Sequence, residues 1–395
     1  MLNAPTAFRI TVDDAVLEDL DRRLSLTRWP GALEGAGWDY GTDTGYLRDL
    51  VDYWRTGYRW REREARMNEL AHFRAEVDGM HIHYVHMRAG GRARMPIVLL
   101  HGWPGTFLEM TRLGRLLADA EGDGLDVIIP SLPGFGFSDA PTRPGFGYMR
   151  AAEVLHRLLT ENLAYPRYAT HGADVGCFVM SWMALAHPEA VIGLHMLEPG
   201  IPAPSLAPPA PPPSRAELDC IEAAQRWELH EGAYAHLQRT KPQTLAVGLN
   251  DSPAMLAAWL VEKYRTWSDC GGRLETRYTR DELLDIIMLY WVTQTGPSSV
   301  RAYRERQYSD RPMTPLERLR VPSGFALTPD LPGHPPRRWP REYVERGHDI
   351  RHWVEIPAGG HFASWEEPTL IAASIREFLN GIQAGTTDSD PSHGR

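Results

Sequence analysis

The chain has 395 residues, of which 43% are hydrophobic, and this length exceeds what a single hydrophobic core usually reaches. We therefore expect two or three structural units. The formal net charge is −9 and the basic residues form no stripe, so the composition argues against a nucleic-acid-binding protein and favours a small, uncharged partner.

The cysteines and the N-terminal residues indicate the cellular compartment of the protein. Cys177, Cys220 and Cys270 are widely spaced and odd in number, which predicts neither a disulfide framework nor a cysteine metal site. The first residues lack the charged and apolar regions of a signal peptide, and no stretch has the apolar length of a membrane span. We expect a cytoplasmic protein without a membrane segment. The oligomeric state stays open, a homo-oligomer included.

Residues 1–90 are predicted to form an N-terminal meander that begins with helices rich in Trp and Arg. In its last part, apolar and polar residues alternate on either side of an Asp-Gly pair. This pattern predicts a β-hairpin with strands from Phe73 to Val77 and from Ile82 to Met87. The segments MPIVLLHGWPG, LDVIIPSLPGFGFS and RYATHGADVGCFVM follow, each an apolar run that ends in a Gly-containing turn. Such runs are typical of buried parallel strands.

These strand, turn and helix units predict an α/β protein with the α/β-hydrolase fold, whose mostly parallel central sheet begins within residues 91–200. A proline-rich linker and a helical segment follow over 201–314, and the sheet resumes over 315–385. A helical block inserted between two parts of one sheet predicts a lid over the carboxyl ends of the strands. Residues 386–395 are polar and are predicted to form a disordered tail.

The strongest functional signal is HGADVG at 171–176, a predicted strand-to-helix turn around Asp174. In α/β-hydrolases this turn usually carries Ser in G-x-S-x-G, a motif that the chain lacks. An ether formed by Ser on an sp³ carbon would resist hydrolysis, whereas an ester formed by a carboxylate is cleaved by water. Asp174 therefore predicts alkylation at carbon, by opening of an epoxide or displacement of a halide. The alternative is that Asp174 only caps a helix.

His361, in GGHF at 359–362, is the predicted general base. It follows the last predicted strand and precedes the last helix, where α/β-hydrolases carry this residue. The alternative is a surface histidine or a hydrogen-bonded core histidine. The acid that orients His361 is predicted to be Asp330, after the penultimate strand, with Glu198, at the end of the strand before the lid, as the alternative.

HGWPG at 101–105 follows a core strand at the place where this fold supplies an oxyanion-hole amide. We expect the backbone amides of Trp103 and Val175 to stabilise the tetrahedral intermediate of ester hydrolysis. The Trp103 side chain is predicted either to pack in the core or to line the pocket. The chain contains neither HExxH nor a Gly-rich phosphate fingerprint, so no metal or organic cofactor is predicted.

Several segments together resemble the microsomal-type epoxide hydrolases, including the juvenile-hormone and bacterial members. They are HGWPGTFLEM, SLPGFGFS, HGADVG, YAHLQRTKPQTLAVGLNDSP, MLYW and GGHFASWEEP, and the resemblance extends over nearly the whole chain. It implies that two lid tyrosines hydrogen-bond to the epoxide oxygen, and by motif context these are Tyr234 in GAYAHLQ and Tyr303 in VRAYRER. An unperturbed phenol has a pKa of about 10, so both would donate at neutral pH.

At the acid position the chain departs from the family. Members carry Asp or Glu after a Phe-Pro pair, whereas this chain has Leu-Thr-Pro-Asp, which ends at Asp330. Asp330 is therefore displaced by one residue from the family position. Glu198 stays open as the alternative acid.

The predicted reaction is hydrolysis of an epoxide to a vicinal diol, with water as co-substrate and a small hydrophobic or aryl epoxide as substrate. A haloalkane or haloacid dehalogenase is the nearest alternative, but Val175 stands where haloalkane dehalogenases often carry a halide-binding Trp. A catalytically silent protein that binds a hydrophobic ligand is the alternative from another class. The family occurs in natural-product pathways, including those to enediyne antibiotics, so the resemblance implies a biosynthetic role as a hypothesis.

Overall fold

The strands of the protein form one nine-stranded β-sheet within the described residues. The computed structural model describes residues 4–89, 95–119, 124–200, 211–311 and 317–387. The strands within these residues are β1 (Thr6–Ala7), β2 (His72–Val77), β3 (Met80–Met87), β4 (Pro96–Leu100), β5 (Asp126–Pro130), β6 (Tyr168–Gly172), β7 (Val191–Met196), β8 (Leu319–Leu327) and β9 (His348–Glu355). They form one sheet in the order β1-β2-β3-β5-β4-β6-β7-β8-β9.

The sheet is parallel over most of its width. Strands β4 to β9 pair in parallel, whereas β1, β2 and β3 form an antiparallel extension that joins the sheet at β5. The central strands β4, β5 and β6 are almost wholly buried, in agreement with their continuous apolar sequences. The mostly parallel sheet that the sequence predicts is confirmed.

The predicted hairpin is present and belongs to this sheet. Asp78 and Gly79 have positive φ angles of 52° and 74°, and Val77 pairs with Met80 across the turn. Asp and Gly tolerate this conformation, which matches the twist of a two-residue hairpin loop. Because β3 pairs with β5, the sheet extends into residues 1–90, the segment that the sequence assigns to the meander.

Helices precede, connect and follow the strands of the sheet. In chain order the α-helices of the described residues are α1 (Asp14–Ser25), α2 (Thr44–Thr56), α3 (Trp60–Met67), α4 (Thr111–Ala118), α5 (Tyr148–Arg157), α6 (Val175–Ala186), α7 (Arg215–Glu231), α8 (Ala233–Thr240), α9 (Pro242–Asp251), α10 (Pro253–Trp267), α11 (Arg280–Thr293), α12 (Gly296–Ser309), α13 (Arg341–Glu345), α14 (Ala363–Glu366) and α15 (Pro368–Thr387). Within the part of the chain that the structure describes, no helix combines the length and the apolar composition needed to cross a bilayer.

Helices α7 to α12 lie between β7 and β8 in the chain, where the sequence predicts a lid, and this helical insert is called the lid below. The N-terminal helices pack against this lid: the Tyr58 hydroxyl donates to Asp285 Oδ1 over 2.8 Å, and Trp54 Nε1 donates to Met288 Sδ over 3.2 Å. The N-terminal segment therefore supports the lid. Residues 201–210, which contain most of the predicted proline-rich linker, and residues 388–395 of the predicted tail lie outside the described residues.

Candidate active site

Asp174 stands on a sharp turn between β6 and α6. Its backbone has φ 49° and ψ −123°, a conformation that non-glycine residues rarely adopt and that suits a nucleophile elbow. Glycines let this turn pack closely. A Cβ on Gly176 would lie 2.4 Å from the carbonyl oxygen of Leu100, and a Cβ on Gly102 would lie 2.4 Å from the Cβ of Asp174. Asp174 stands at the N-cap position of α6, and its side chain makes no N-capping hydrogen bond.

Two backbone amides act on the carboxylate of Asp174. The amide of Trp103 donates to Asp174 Oδ1 over 2.8 Å, and the amide of Val175 also lowers the pKa of the carboxyl group. The structure thus brings together the two amides that the sequence predicts for an oxyanion hole. Burial raises the pKa of Asp174 to about 7; the charge of Glu198 adds to the rise, and the two amides oppose it. Asp174 therefore changes between acid and carboxylate near neutral pH.

Glu198 lies beside Asp174 and is paired with a buried arginine. Its Oε1 accepts a hydrogen bond from the Asp174 amide over 2.5 Å, and its Oε2 pairs with Arg337. Arg337 is fully buried, and its Nε donates to Thr328 Oγ1 over 3.0 Å. The Glu198–Arg337 pair therefore braces the elbow and balances the charge behind it. The sequence offers no motif for Arg337, because one arginine among many stands out only once its burial is known.

His361 lies on the loop between β9 and α14 and is buried. Its amide donates to the carbonyl oxygen of Trp267, at the end of lid helix α10, over 2.8 Å. A Cβ on Gly360 would lie 2.3 Å from that same carbonyl, which explains the glycine. Glu366 accepts hydrogen bonds from the amides of Gly360 and Phe362 over 3.1 and 3.2 Å. The segment GGHFASWEEP thus ties His361 to the lid as well as to the sheet.

The structure corrects the assignment of the acid. Asp330 is exposed, and its Oδ1 accepts hydrogen bonds from the amides of Arg337 and Arg338 over 2.6 and 3.2 Å. Its hydrogen bonds lie within the loop after β8, and none joins it to His361. Glu198 is engaged by Arg337 instead. Among the described residues, no carboxylate hydrogen-bonds to the His361 ring, whose Nδ1 faces another imidazole.

That imidazole belongs to His334, which occupies the place expected for the acid. Its Nε2 lies 3.3 Å from Nδ1 of His361, and its Nδ1 lies 2.8 Å from the carbonyl oxygen of Pro335. A carbonyl only accepts, so His334 donates from Nδ1 and accepts at Nε2. His361 then donates from Nδ1, which leaves its Nε2 free to take a proton. Burial, with the Arg337 charge as a second cause, holds the pKa of both histidines well below its usual range.

Tyr234 on α8 and Tyr303 on α12 meet near Asp174. Their ring centroids lie 6.2 Å apart in an edge-to-face contact. Burial raises the pKa of both phenols, and the charge of Asp174 contributes to each rise, which indicates that the carboxylate is close. Both phenols therefore stay protonated and able to donate. The structure brings together the two tyrosines that the family resemblance implies.

Two tryptophans connect these parts of the site. The Trp103 ring stacks on Tyr234, with centroids 5.4 Å apart and an interplanar angle of 11°. The Trp267 ring lies 5.2 Å from that of Tyr234 and 5.0 Å from that of His361. Trp103 therefore contacts Tyr234, and Trp267, for which the sequence gives no signal, contacts both Tyr234 and His361. Within the described residues, no three His, Cys, Asp or Glu side chains are grouped as a metal ion would require.

Comparisons with known proteins identify the family of the chain. The family described as "Epoxide hydrolase N terminus" matches residues 5–110, and the alpha/beta hydrolase fold family matches residues 95–227, which confirms the predicted fold. Juvenile hormone epoxide hydrolase 1 of Ctenocephalides felis is 34% identical over 93% of this chain and 84% of its own length. Epoxide hydrolase 1 of Sus scrofa is 32% identical over 95% of this chain and 88% of its own length.

A solved structure extends the similarity to three dimensions. The crystal structure of juvenile hormone epoxide hydrolase from the silkworm Bombyx mori has a TM-score of 0.82 to this chain at 30% sequence identity. The match covers 96% of this chain and 94% of that chain. The structural similarity therefore extends over nearly the whole length of both chains.

Proposed function

The chain belongs to the epoxide hydrolase family, and from this premise we propose that the Asp174 carboxylate opens the epoxide and that His361 activates the water that releases the diol. The observation that carries the proposal is the setting of Asp174. It stands on a strained elbow, its Oδ1 accepts the Trp103 amide over 2.8 Å, and two protonated phenols lie near it. A nucleophile and the donors for a developing alkoxide therefore face one substrate position.

The first step forms an ester and opens the ring. An oxygen of Asp174 attacks a ring carbon, the C–O bond breaks, and its electron pair stays on the epoxide oxygen. That oxygen accepts hydrogen bonds from Tyr234 and Tyr303 and takes up a proton from one of them, which solvent replaces. The site holds a hydroxyalkyl ester of Asp174 when this step ends.

The second step cleaves this ester. His361 takes a proton at Nε2 from water, which attacks the ester carbonyl, and the amides of Trp103 and Val175 stabilise the negative oxygen of the intermediate. The intermediate collapses, the diol oxygen takes the proton from His361, and Asp174 returns its own proton to solvent. The net reaction adds one water to one epoxide. Water attacks only the ester carbonyl carbon and never the ring carbon of the substrate.

An isotope experiment with excess protein tests this route. Protein and styrene oxide are mixed in ¹⁸O-labelled water for one turnover. The diol should carry only unlabelled oxygen, and the label should appear in the peptide that contains Asp174, because water attacks the ester carbonyl. With excess styrene oxide, later diol molecules should carry label from the exchanged carboxylate. Label in the first-turnover diol would mean that water opens the epoxide directly, which contradicts the proposal.

The two steps are expected to differ in pH dependence. Ester formation should fall about tenfold per pH unit below about 7, because attack needs the ionised carboxylate and burial raises the pKa of Asp174 to about 7. Ester hydrolysis should not show this decrease in rate at low pH, since Asp174 is then esterified and the pKa of His361 lies well below its usual range. Stopped-flow single turnovers between about pH 5 and 9 measure both rates.

Glu198→Gln supplies the matched control for this pH dependence. The substitution removes a negative charge beside Asp174, so the fall in the rate of ester formation should begin at a lower pH. A fall that begins at the same pH or at a higher pH would show that another group controls the rate.

We propose that His334 takes the orienting role that the sequence assigns to a carboxylate. Its Nε2 accepts from Nδ1 of His361 over 3.3 Å, which selects the tautomer that the base requires. A neutral imidazole can orient His361, but it stabilises a protonated His361 less than a carboxylate would. Removing His334 should therefore slow the reaction less than the loss of about 10⁴-fold seen when serine proteases lose their triad acid. His334→Leu should slow ester hydrolysis about 10- to 100-fold, and ester formation should stay within about twofold. Equal slowing of both steps would contradict this role.

A small hydrophobic or aryl epoxide is the substrate class that we propose. The support is the aromatic lining, because Trp103, Trp267, Tyr234 and Tyr303 lie around the reacting groups. Apolar rings favour an apolar or aryl substituent next to the epoxide. A lower kcat/KM for styrene oxide than for the small polar epoxide glycidol would contradict this proposal.

We also propose a cytoplasmic location and keep the biosynthetic role as a hypothesis. Cys177, Cys220 and Cys270 are all unpaired, which fits a reducing compartment. Fractionation of the native cell checks the location. Participation in natural-product biosynthesis, including that of enediyne antibiotics, rests on the family resemblance alone, and a native gene locus without biosynthetic genes would count against it.

A further inference from the structure

Lys263 is a buried cation in the lid, and its ammonium lies against the ring of Tyr234. Its Nζ is 4.5 Å from the ring centroid of Tyr234 and 5.5 Å from that of Trp267. Only 8% of its side chain is exposed. The chain has 42 Lys and Arg residues, of which only Lys241 and Lys263 are lysines. A compact ammonium, in place of the guanidinium used almost everywhere else, therefore meets the aromatic face at this position.

Glu262 anchors this ammonium. Its Oε2 lies 2.5 Å from Nζ of Lys263, and its Oε1 accepts a hydrogen bond from Thr266 Oγ1 over 3.2 Å. The Glu262 side chain is 22% exposed, so solvent screens its charge more than that of Lys263. The charge that the ring of Tyr234 meets at short range is therefore positive.

We propose that Lys263 is a positioning residue that acts through Tyr234: its ammonium holds the ring and makes the hydroxyl a stronger donor to the epoxide oxygen. When the C–O bond breaks, the electron pair stays on oxygen, and the hydrogen bond from Tyr234 moves part of the negative charge onto the phenol. A cation on the ring face stabilises that charge, and the buried setting strengthens the interaction. The stabilisation grows towards the transition state and so accelerates ester formation.

The inference rests on the proposed donor role of Tyr234 and is specific to one step. In ester hydrolysis the negative charge develops on the Asp174 carbonyl oxygen, which the amides of Trp103 and Val175 face. Lys263 should therefore affect ester formation and leave ester hydrolysis unchanged. A residue that only packs the lid would change both steps.

A double-mutant cycle for ester formation tests this coupling. Single turnovers with styrene oxide in the His361→Gln background report ester formation by intact mass and by tryptophan fluorescence. Lys263→Met should slow this step about 10- to 30-fold, the size of a desolvated cation–π interaction of about 2 kcal/mol. In the Tyr234→Phe background the same substitution should change the rate less than about twofold. With His361 restored, ester hydrolysis should match that of the unsubstituted protein.

Three further variants keep the test decisive. Lys263→Arg retains the charge and should stay within a few-fold of the unsubstituted protein, and Lys241→Met removes the exposed second lysine and should have no effect. Lys263→Gln replaces Lys263→Met if the latter fails to fold. Additive effects of Lys263→Met and Tyr234→Phe, or equal slowing of both steps, overturn the inference. If Tyr234→Phe alone leaves ester formation unchanged, the donor role of Tyr234 fails instead.

Discussion

Replacing Asp174 with alanine is expected to lower kcat for epoxide hydrolysis by at least about 10⁴-fold, because the variant has no carboxylate to form the ester. The amides of Trp103 and Val175 and the two phenols stay in place, so substrate binding should change little. Steady-state assays with styrene oxide measure the loss. Intact-mass spectrometry should show no adduct in the variant.

Asp330→Asn is the matched control for this substitution. Asp330 is exposed, and the amide oxygen of Asn is still able to accept from the amides of Arg337 and Arg338. Its kcat should stay within about threefold of the unsubstituted protein, as expected for a residue away from the reacting atoms. Substantial activity in Asp174→Ala would show that Asp174 is not the nucleophile. A large loss in Asp330→Asn would return Asp330 to the catalytic triad.

His361→Gln should trap the ester. Removing the base slows hydrolysis about 10²- to 10⁴-fold, whereas ester formation does not use His361 and should stay within a few-fold. The protein should therefore gain the mass of one substrate within the first turnover, and digestion should place the gain on the peptide with Asp174. Prolonged incubation should release diol slowly.

The double variant Asp174→Ala with His361→Gln controls for alkylation elsewhere. It should acquire no mass, since the only proposed nucleophile is absent. An adduct on this variant, or rapid turnover by His361→Gln alone, would contradict the division of roles between the two residues.

The charges around Asp174 explain how a buried carboxylate is kept usable. Burial and Glu198 raise its pKa to about 7, and the amides of Trp103 and Val175 limit that rise. Arg337, buried and paired with Glu198, balances the second carboxylate. Removing one member of such a buried pair typically costs about 3–5 kcal/mol of stability.

The elbow and the hairpin show what local sequence predicts well. Glycine is needed at Gly176 and Gly102 because a Cβ at either position would lie 2.4 Å from its nearest neighbouring atom. The Asp-Gly turn needs two residues that tolerate positive φ. In both cases neighbouring residues impose the backbone geometry, so a short motif carries the information. The lid tyrosines were accessible only through family resemblance, since 15 tyrosines share no distinguishing local pattern.

By itself the sequence determined the strand, turn and helix order, the Asp at the elbow and therefore the class of chemistry, because these depend on residues close together in the chain. The tertiary structure alone decided which group faces His361. His334, Arg337 and Glu198 come from two segments that meet at the carboxyl ends of β7 and β8. The loop after β8 turns Asp330 to solvent and His334 inward. Burial and partner choice at such a position depend on contacts between distant segments, which no local pattern encodes.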